Sequence, residues 1–437
     1  MATLRPFAAV RYSKSRGFDL SNLIAPPYDV IADASKAELL AKDEHNVVEV
    51  DLPHLPAKSV GPDEAYERAA DTLAFWLETG VLERDRRGAI YPYTQTYTFN
   101  GKAYHRRGFV ALVRLSPFGQ GQVVPHEQTY PDAITDRLKL TQATGMQLSP
   151  IFGLFSDPRH DVTKALYENL GKPEITATLG GVKNDVWSVI DSDTENKVID
   201  ALGHKPIYIA DGHHRYTMAL EHQRQEAAKH PGGKLPPSHP ANFCMFVLVG
   251  MQDDGLIVLP THRLIGSVPS FDVTVFRQRV AGKFDVIETP LRPDHVDEFC
   301  NNVLATAPAH TMGLYDGRAK KLYQLNCLDQ DVLKPLEPTH SDAWRRLDVA
   351  ILQRYLLDEV IGPTFAGGAK NLTKGYTADP FEVAAKTDGS QYQIALLLKS
   401  TPLGALEQLG RHNEVMPPKS TYFYPKLATG LLMYPVR

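Results

Sequence analysis

Between residues 63 and 79, Tyr66, Ala70, Leu73 and Leu77 recur at spacings of three and four, which predicts an amphipathic helix stopped by Gly80. From Tyr91 to Phe99 the period changes to two: Tyr91, Tyr93, Gln95, Tyr97 and Phe99 alternate with smaller residues. Asn100-Gly101 tolerates left-handed backbone, so Phe109–Leu115 reads as the return strand of a β-hairpin. Ser149–Phe155 is a short apolar run typical of a buried strand, and helices over Asp161–Leu170 and Asp193–Leu202 flank an expected strand at Asp185–Ile190. Lys205–Ala210 predicts a strand that runs through Asp211-Gly212 into a helix from about Arg215 to Lys229. Pro231–Pro240 is a loop rich in proline and glycine, after which Phe243–Val249 and Leu256–Leu264 are expected to pair as a hairpin around Asp253-Asp254-Gly255. The last third predicts a helix near Phe271–Val280, a hairpin at Asp316-Gly317, a helix over Ala343–Val360 and a strand at Gln393–Leu398. Before all of these lie some thirty irregular residues ending in Ala25-Pro26-Pro27-Tyr28-Asp29, stiffened by two prolines.

This interleaving of helices and strands points to an α+β (mixed α/β) protein. At roughly 100 to 200 residues per domain, 437 residues suggest two or three domains, and 43% hydrophobic residues suffice to fill their cores. The expected divisions are 1–115, an α/β region carrying the first hairpin; 116–270, a core carrying the central strand and helix; and 271–437, a C-terminal α/β lobe. Lys and Arg total 47 against 51 Asp and Glu, giving 47 − 51 = −4, which argues against a generally basic nucleic-acid-binding surface. Three cysteines, Cys244, Cys300 and Cys327, provide neither a disulfide framework nor a four-cysteine zinc site, and fit a reducing compartment. Met1–Val10 lacks the apolar core of a signal peptide, and the longest apolar stretch, Phe243–Met251, is far short of the roughly 18 residues of a spanning helix. The expectation is a soluble cytoplasmic protein without nucleic-acid or membrane partners. Its oligomeric state is not legible. Sixteen histidines are the suggestive number, because imidazole titrates near neutrality and binds phosphate or metal.

Four of these histidines stand in motifs with a chemical reading. In Asp211-Gly212-His213-His214-Arg215-Tyr216, two imidazoles and a guanidinium stand at a helix start, where backbone N–H groups and the helix dipole favour an anion. Gly212 permits close approach of that anion. The alternative is a simple N-cap by Asp211, which accounts for the acid but not for the three side chains that follow. A metal can also be considered. Neighbouring residues diverge on a helix, so Mg²⁺ held by Asp211 and substrate phosphates suits the segment better than zinc on both histidines. Pro125-His126-Glu127-Gln128-Thr129 places a carboxylate beside an imidazole as a candidate general base, or as an ordinary solvated loop acid. Arg137, after Asp136, and Thr261-His262-Arg263 add candidate substrate contacts. Met416–Lys426 sets two lysines, Lys419 and Lys426, and two hydroxyls, Ser420 and Thr421, among prolines, a donor-rich loop suited to phosphate or carboxylate, or a proline-rich edge that packs aromatics. The chain contains no Gly-x-Ser-x-Gly, no Gly-x-x-x-x-Gly-Lys and no Gly-x-Gly-x-x-Gly after a strand, which disfavours hydrolase triads, P-loop enzymes and Rossmann dehydrogenases.

Taken in order, Arg5-Pro6-Phe7, Ala25–Asp29, Pro125-His126-Glu127 with Thr129, Asp136-Arg137, Ser149–Phe152, Asp211–Tyr216, Pro260–Arg263, Leu347-Asp348-Val349 and Met416–Lys426 resemble the prokaryotic family known as domain of unknown function 1015. Asp211–Arg215 also resembles the phosphate-binding motif of sulfiredoxins, ParB chromosome-partition CTPases and free serine kinases, which share one nucleotide-binding fold. Sulfiredoxins need a cysteine where His213 stands here, and ParB proteins need a DNA-binding domain that is not evident. Free serine kinases carry Asp-Gly-His-His-Arg, matched here at all five positions.

The resemblance implies a ParB/sulfiredoxin-like core and a nucleotide-dependent kinase acting on the hydroxyl of a small molecule, free serine above all, possible in reverse from phosphoserine. Within it, Glu127 is the implied base, assisted by His126. Asp211 holds Mg²⁺ or the substrate amine, and Gly212, His213, His214 and Arg215, with Lys419, Ser420 and Thr421, hold the phosphates of ATP or ADP. Arg137, His262 and Arg263 are left for the substrate. The alternatives are a ParB-like nucleotide switch without net transfer and a phosphoserine phosphatase.

Overall fold

The computed structural model describes residues 4–203, 205–292 and 295–437, and is a mixed α/β structure with several sheets. The chain forms two compact units: Met1–Pro125 with Thr129–Leu256 and Pro425–Arg437, and His126–Gln128 with Ile257–Tyr424. Of the three expected divisions, 1–115 lies in the first unit, while 116–270 and 271–437 each contribute to both.

Among the described residues, the first unit is built on a nine-stranded mixed sheet. Its order is Val123–Val124, Ile207–Asp211, Ile151–Phe155, Phe243–Gly250, Lys102–Arg114, Tyr91–Phe99, Val182–Val186 and Ile175–Leu179, with Leu4–Arg5 also paired to Lys102–Arg114. The expected hairpin is present, Tyr91 facing Val110 and Phe99 facing Lys102. Asn100 and Gly101 both have positive φ, 48° and 74°, the turn whose twist matches a hairpin. One face of the sheet packs on Val162 and Leu166, Val198 and Leu202, and Tyr216 and Ala219, from helices Asp161–Tyr167, Ser192–Leu202 and His213–Ala228.

The helix Asp63–Glu78 forms as predicted but is rotated: Tyr66, Ala69, Leu73 and Trp76 are buried, while Leu77 is 38% exposed. Both stripes satisfy helical spacing, and the larger apolar area of Trp76 favours the observed one. The hairpin expected around Asp253-Asp254-Gly255 does not form. Phe243–Gly250, buried at every residue, pairs antiparallel with Lys102–Arg114 and parallel with Ile151–Phe155. A wholly apolar strand buries both faces and both edges best in a sheet centre, and that position leaves no edge for a hairpin partner. Asp253 instead accepts from the Gly255 N–H at 2.9 Å, and the chain passes into the second unit.

The second unit carries a six-stranded antiparallel sheet, in the order Phe284–Glu288, Lys321–Cys327, Thr311–Asp316, Ile394–Leu397, His262–Gly266 and Thr373–Thr377. Ile257–Leu259 pairs with Tyr422–Tyr424 as a separate ribbon. The helix expected over Ala343–Val360 is broken at Leu347, whose backbone is extended (φ −73°, ψ 130°), and resumes at Asp348. Among the described residues, no helix is long and apolar enough to cross a membrane.

Close packing at the sheet centre gives a test. A Cβ on Gly153 would lie 2.8 Å from Leu248 Cδ2 and 2.9 Å from both Ile207 Cγ2 and Phe246 Cδ1. Gly153→Ala should therefore destabilise the first unit by about 1–3 kcal/mol, the usual cost of overpacking a core, read as a lower urea midpoint. An unchanged midpoint would show that the neighbouring side chains give way freely.

Candidate functional site

The motif sits where a strand becomes a helix. Tyr208 faces Leu154 and Ile209 faces Gly153, but the register then shifts so that Asp211 faces Phe152, leaving Ala210 as a bulge. Bulges re-aim the residues beside them. Gly212 follows with φ 98° and ψ 28°, a backbone only glycine adopts without strain, and helix His213–Ala228 begins at once. The helix thus starts two residues earlier than predicted, and its cap is Gly212 rather than Asp211. The first i→i−4 bond runs from Tyr216 N to Gly212 O at 3.0 Å, so the N–H groups of His213, His214 and Arg215 lie ahead of the helical ladder.

Asp211, released from capping, lies among cations. Lys426 Nζ is 2.8 Å from Oδ2, and Arg215 Nη2 is 3.9 Å from Oδ1. Burial alone would raise the Asp211 carboxyl, but the Lys426 and Arg215 charges, with a smaller contribution from His213, outweigh it and hold the group well below the usual carboxylate range. Arg215 Nη1 also donates to Pro150 O, fixing the guanidinium beneath the turn. His213 is buried. His214 Nε2 accepts from Tyr130 N at 3.0 Å, with the Tyr130 ring stacked 5.8 Å away, so in this arrangement Nε2 carries no proton.

Lys426 was not among the residues assigned a role from sequence. Its backbone is anchored: Gln95 Nε2 donates to Lys426 O at 3.1 Å, and Arg106 Nη2 donates to Pro425 O at 2.7 Å. Arg106 is fully buried and lies 4.8 Å over the Phe152 ring, which belongs to the strand residue opposite Asp211. The available signal was the end of the Met416–Lys426 run, where two lysines look alike until the fold separates them.

Arg137, expected at the substrate, is buried in helix Pro131–Thr144, with Nε and Nη1 hydrogen-bonded and Nη2 in an ion pair with Asp136. Nε bonds Asp136 Oδ2 at 2.7 Å, Nη1 bonds Asp51 O at 2.6 Å, and the guanidinium lies 4.1 Å over the Tyr28 ring. Asp136 also bonds His54 at 2.7 Å and Tyr66 at 2.8 Å. Two of the short motifs, Tyr28-Asp29 and Asp136-Arg137, therefore meet in one buried cluster. Burial pushes the Asp51 carboxyl up, against the pull of Arg137 and then Arg215. Asp51, Arg137 and Arg215 line a cavity of about 20 Å³, room for one water.

The other candidates belong to the second unit. Glu127 Oε1 accepts from the Lys419 backbone N–H at 3.1 Å, His126 Nε2 and Thr421 Oγ1 are hydrogen-bonded at 3.0 Å, and Met416 N donates to His126 O at 2.8 Å. The two loops that sequence marked separately are thus laced together. The Lys419 side chain is exposed on a positive-φ residue, whereas Ser420 is buried and its hydroxyl donates to Pro417 O. Arg263 supports the turn: Nη2 donates to Pro418 O at 3.2 Å and Nη1 to Thr261 O at 2.6 Å. Burial pushes its guanidinium down to about 10, opposed by Tyr376 and Glu127. His262 is fully buried, with Nδ1 accepting from Leu398 N at 3.2 Å. Burial, and next the Arg263 charge, push its imidazole down to about 4, so it is neutral at pH 7. Among the described residues, no three His, Cys, Asp or Glu are grouped so that they could hold a metal ion.

A mixed α/β protein with a strand–glycine–helix turn and a cation-flanked aspartate is the class these features define. The chain belongs to the family described as Protein of unknown function (DUF1015), whose profile matches residues 4–350. No curated protein matches it. Among solved structures, a free serine kinase variant in complex with AMP is 12% identical with a TM-score of 0.34, over 71% of this chain and 89% of that one. SbnI with C-terminal truncation, from Staphylococcus aureus, is 12% identical with a TM-score of 0.36, over 75% and 87%. A conserved hypothetical protein from Pyrococcus furiosus is 14% identical with a TM-score of 0.32, over 71% and 92%.

The depressed Asp211 carboxyl has a consequence for acid stability. A group whose folded value lies below its unfolded value, about 4, contributes stability above the unfolded value and loses it as pH falls through the folded one. Urea midpoints of the protein and Asp211→Asn should therefore differ near neutrality, and the difference should shrink steadily as pH falls below about 4. A gap independent of pH would mean that the charge of Asp211 is not what stabilises.

Proposed function

We propose that the protein is a nucleotide-dependent phosphotransferase acting on the hydroxyl of a small molecule, free serine above all, on a ParB/sulfiredoxin-like core. The observation that carries this reading is the Asp211–Arg215 turn: left-handed Gly212, three N–H groups ahead of the helical ladder, and Arg215 and Lys426 beside one carboxylate. The five-residue likeness to free serine kinases supplies the choice of acceptor.

Phosphoryl transfer asks a protein chiefly for aligned reactants and positive charge around the moving group. Gly212 and the helix start receive the phosphates of ATP or ADP, with His213, His214 and Arg215 around them. A single carboxylate, Asp211, fits the way Mg²⁺ is commonly held, by one or two carboxylates plus substrate phosphates. Bound there with nucleotide, Mg²⁺ supplies charge neutralisation at the phosphate oxygens. Glu127 takes the proton from the acceptor hydroxyl. Its carboxylate is oriented by the Lys419 N–H, in a turn that Arg263 braces through Pro418 O. His126 and Thr421 fix the neighbouring backbone.

Incubation with ATP or ADP, Mg²⁺ and a panel of amino acids, followed by phosphorus NMR, tests the reading. A new phosphomonoester supports it, slow nucleotide hydrolysis alone would favour a switch, and inorganic phosphate released from phosphoserine would favour a phosphatase. Glu127→Gln should lower turnover by roughly 100-fold or more with nucleotide affinity nearly intact. Equal turnover would remove Glu127 from the chemistry.

A further inference from the structure

Lys426 and Asp211 form an ion pair at 2.8 Å across 215 residues of sequence, and the two side chains are equally exposed, at 21% each. The Lys426 backbone is fixed by Gln95 at its own carbonyl and by Arg106 at the preceding one. Its side chain keeps 21% of its surface exposed, and four flexible carbons carry an ammonium with three donors. Arg215 has Nη1 committed to Pro150 O and only 9% of its side chain exposed. If Lys426 swings away, Asp211 still has the Arg215 guanidinium at 3.9 Å.

We propose that Lys426 is a phosphate-binding residue that exchanges partners, leaving the Asp211 carboxylate for a phosphoryl oxygen of the bound nucleotide. This rests on the nucleotide reading of the Asp211–Arg215 turn and adds to it a residue from the far end of the chain. Asp211 and the phosphate then compete for one ammonium. The exchange is favourable because a di- or triphosphate carries more negative charge than a carboxylate, and because a cation arriving with the nucleotide can take the place of Lys426 at Asp211.

Competition predicts effects of opposite sign, which a purely structural ion pair does not. ADP affinity measured by calorimetry in EDTA, so that no divalent ion contributes, should fall about tenfold in Lys426→Met, the loss of one charged hydrogen bond. Under the same conditions Asp211→Asn should bind ADP about threefold to tenfold more tightly, because its lysine is released. That gain should vanish in the double variant, whereas simple relief of repulsion between Asp211 and phosphate would persist there. Lys426→Arg, which keeps the charge, should retain most of the affinity, and thermal melts establish that each variant is folded. Wild-type affinity in Lys426→Met, or a gain from Asp211→Asn that survives in the double variant, overturns the exchange while leaving the nucleotide reading in place. Absence of ADP binding by the unmodified protein overturns both.

Discussion

The ion pair between Asp211 and Lys426 is the contact on which the rest of the motif's arrangement turns. A carboxylate largely withdrawn from water is costly unless neutralised, and here two cations keep Asp211 ionised at the end of a strand. The same contact ties the last segment of the first unit to the motif strand Ile207–Asp211. That segment is also bound through backbone: Val10 N to Met433 O at 3.0 Å, Ala25 N to Thr429 O at 3.1 Å and Val436 N to Gly145 O at 3.0 Å. One stretch of chain therefore both sets the charge at the motif and anchors the backbone at Val10, Ala25 and Gly145.

Behind the motif, acids and bases are arranged to hold one another rather than a ligand. Asp136 gathers His54, Tyr66 and Arg137, and Asp51 sits between the fields of Arg137 and Arg215. Such a cluster gains little net stability over an apolar core, but losing one member leaves a buried charge unpaired. It explains why Asp136-Arg137 stands out in the sequence without contributing a donor to the open side of the turn.

What the sequence makes legible is what local physics decides. The Asn100-Gly101 hairpin and the Lys205-to-helix transition were visible because turn chemistry and periodicity lie within a few residues. The place of Phe243–Gly250 was not, since its partners are strands some 90 to 140 residues earlier and its own pattern is uniformly apolar. The site divides in the same way. Asp211–Arg215 is one contiguous segment and could be read. Arg137 and His262 carry the right chemistry for binding, yet burial and engaged partners give them supporting positions, and residue type alone does not reveal burial. Lys426 escaped because two lysines of one short run differ only in which sheet the chain has joined when each is reached.

That Pro425–Arg437 completes the first unit has a bearing on how the protein is made. During synthesis, residues up to Leu256, the motif strand and helix among them, emerge first, while the segment that neutralises Asp211 follows only after the whole of Ile257–Tyr424. Until then Val10, Ala25 and Gly145 lack their backbone partners in Met433, Thr429 and Val436. A ribosome that stops within the second unit leaves behind a chain whose motif is present in sequence but has no lysine to meet its aspartate. The ion pair at the turn can therefore form only once residue 426 has been made, long after the aspartate it neutralises.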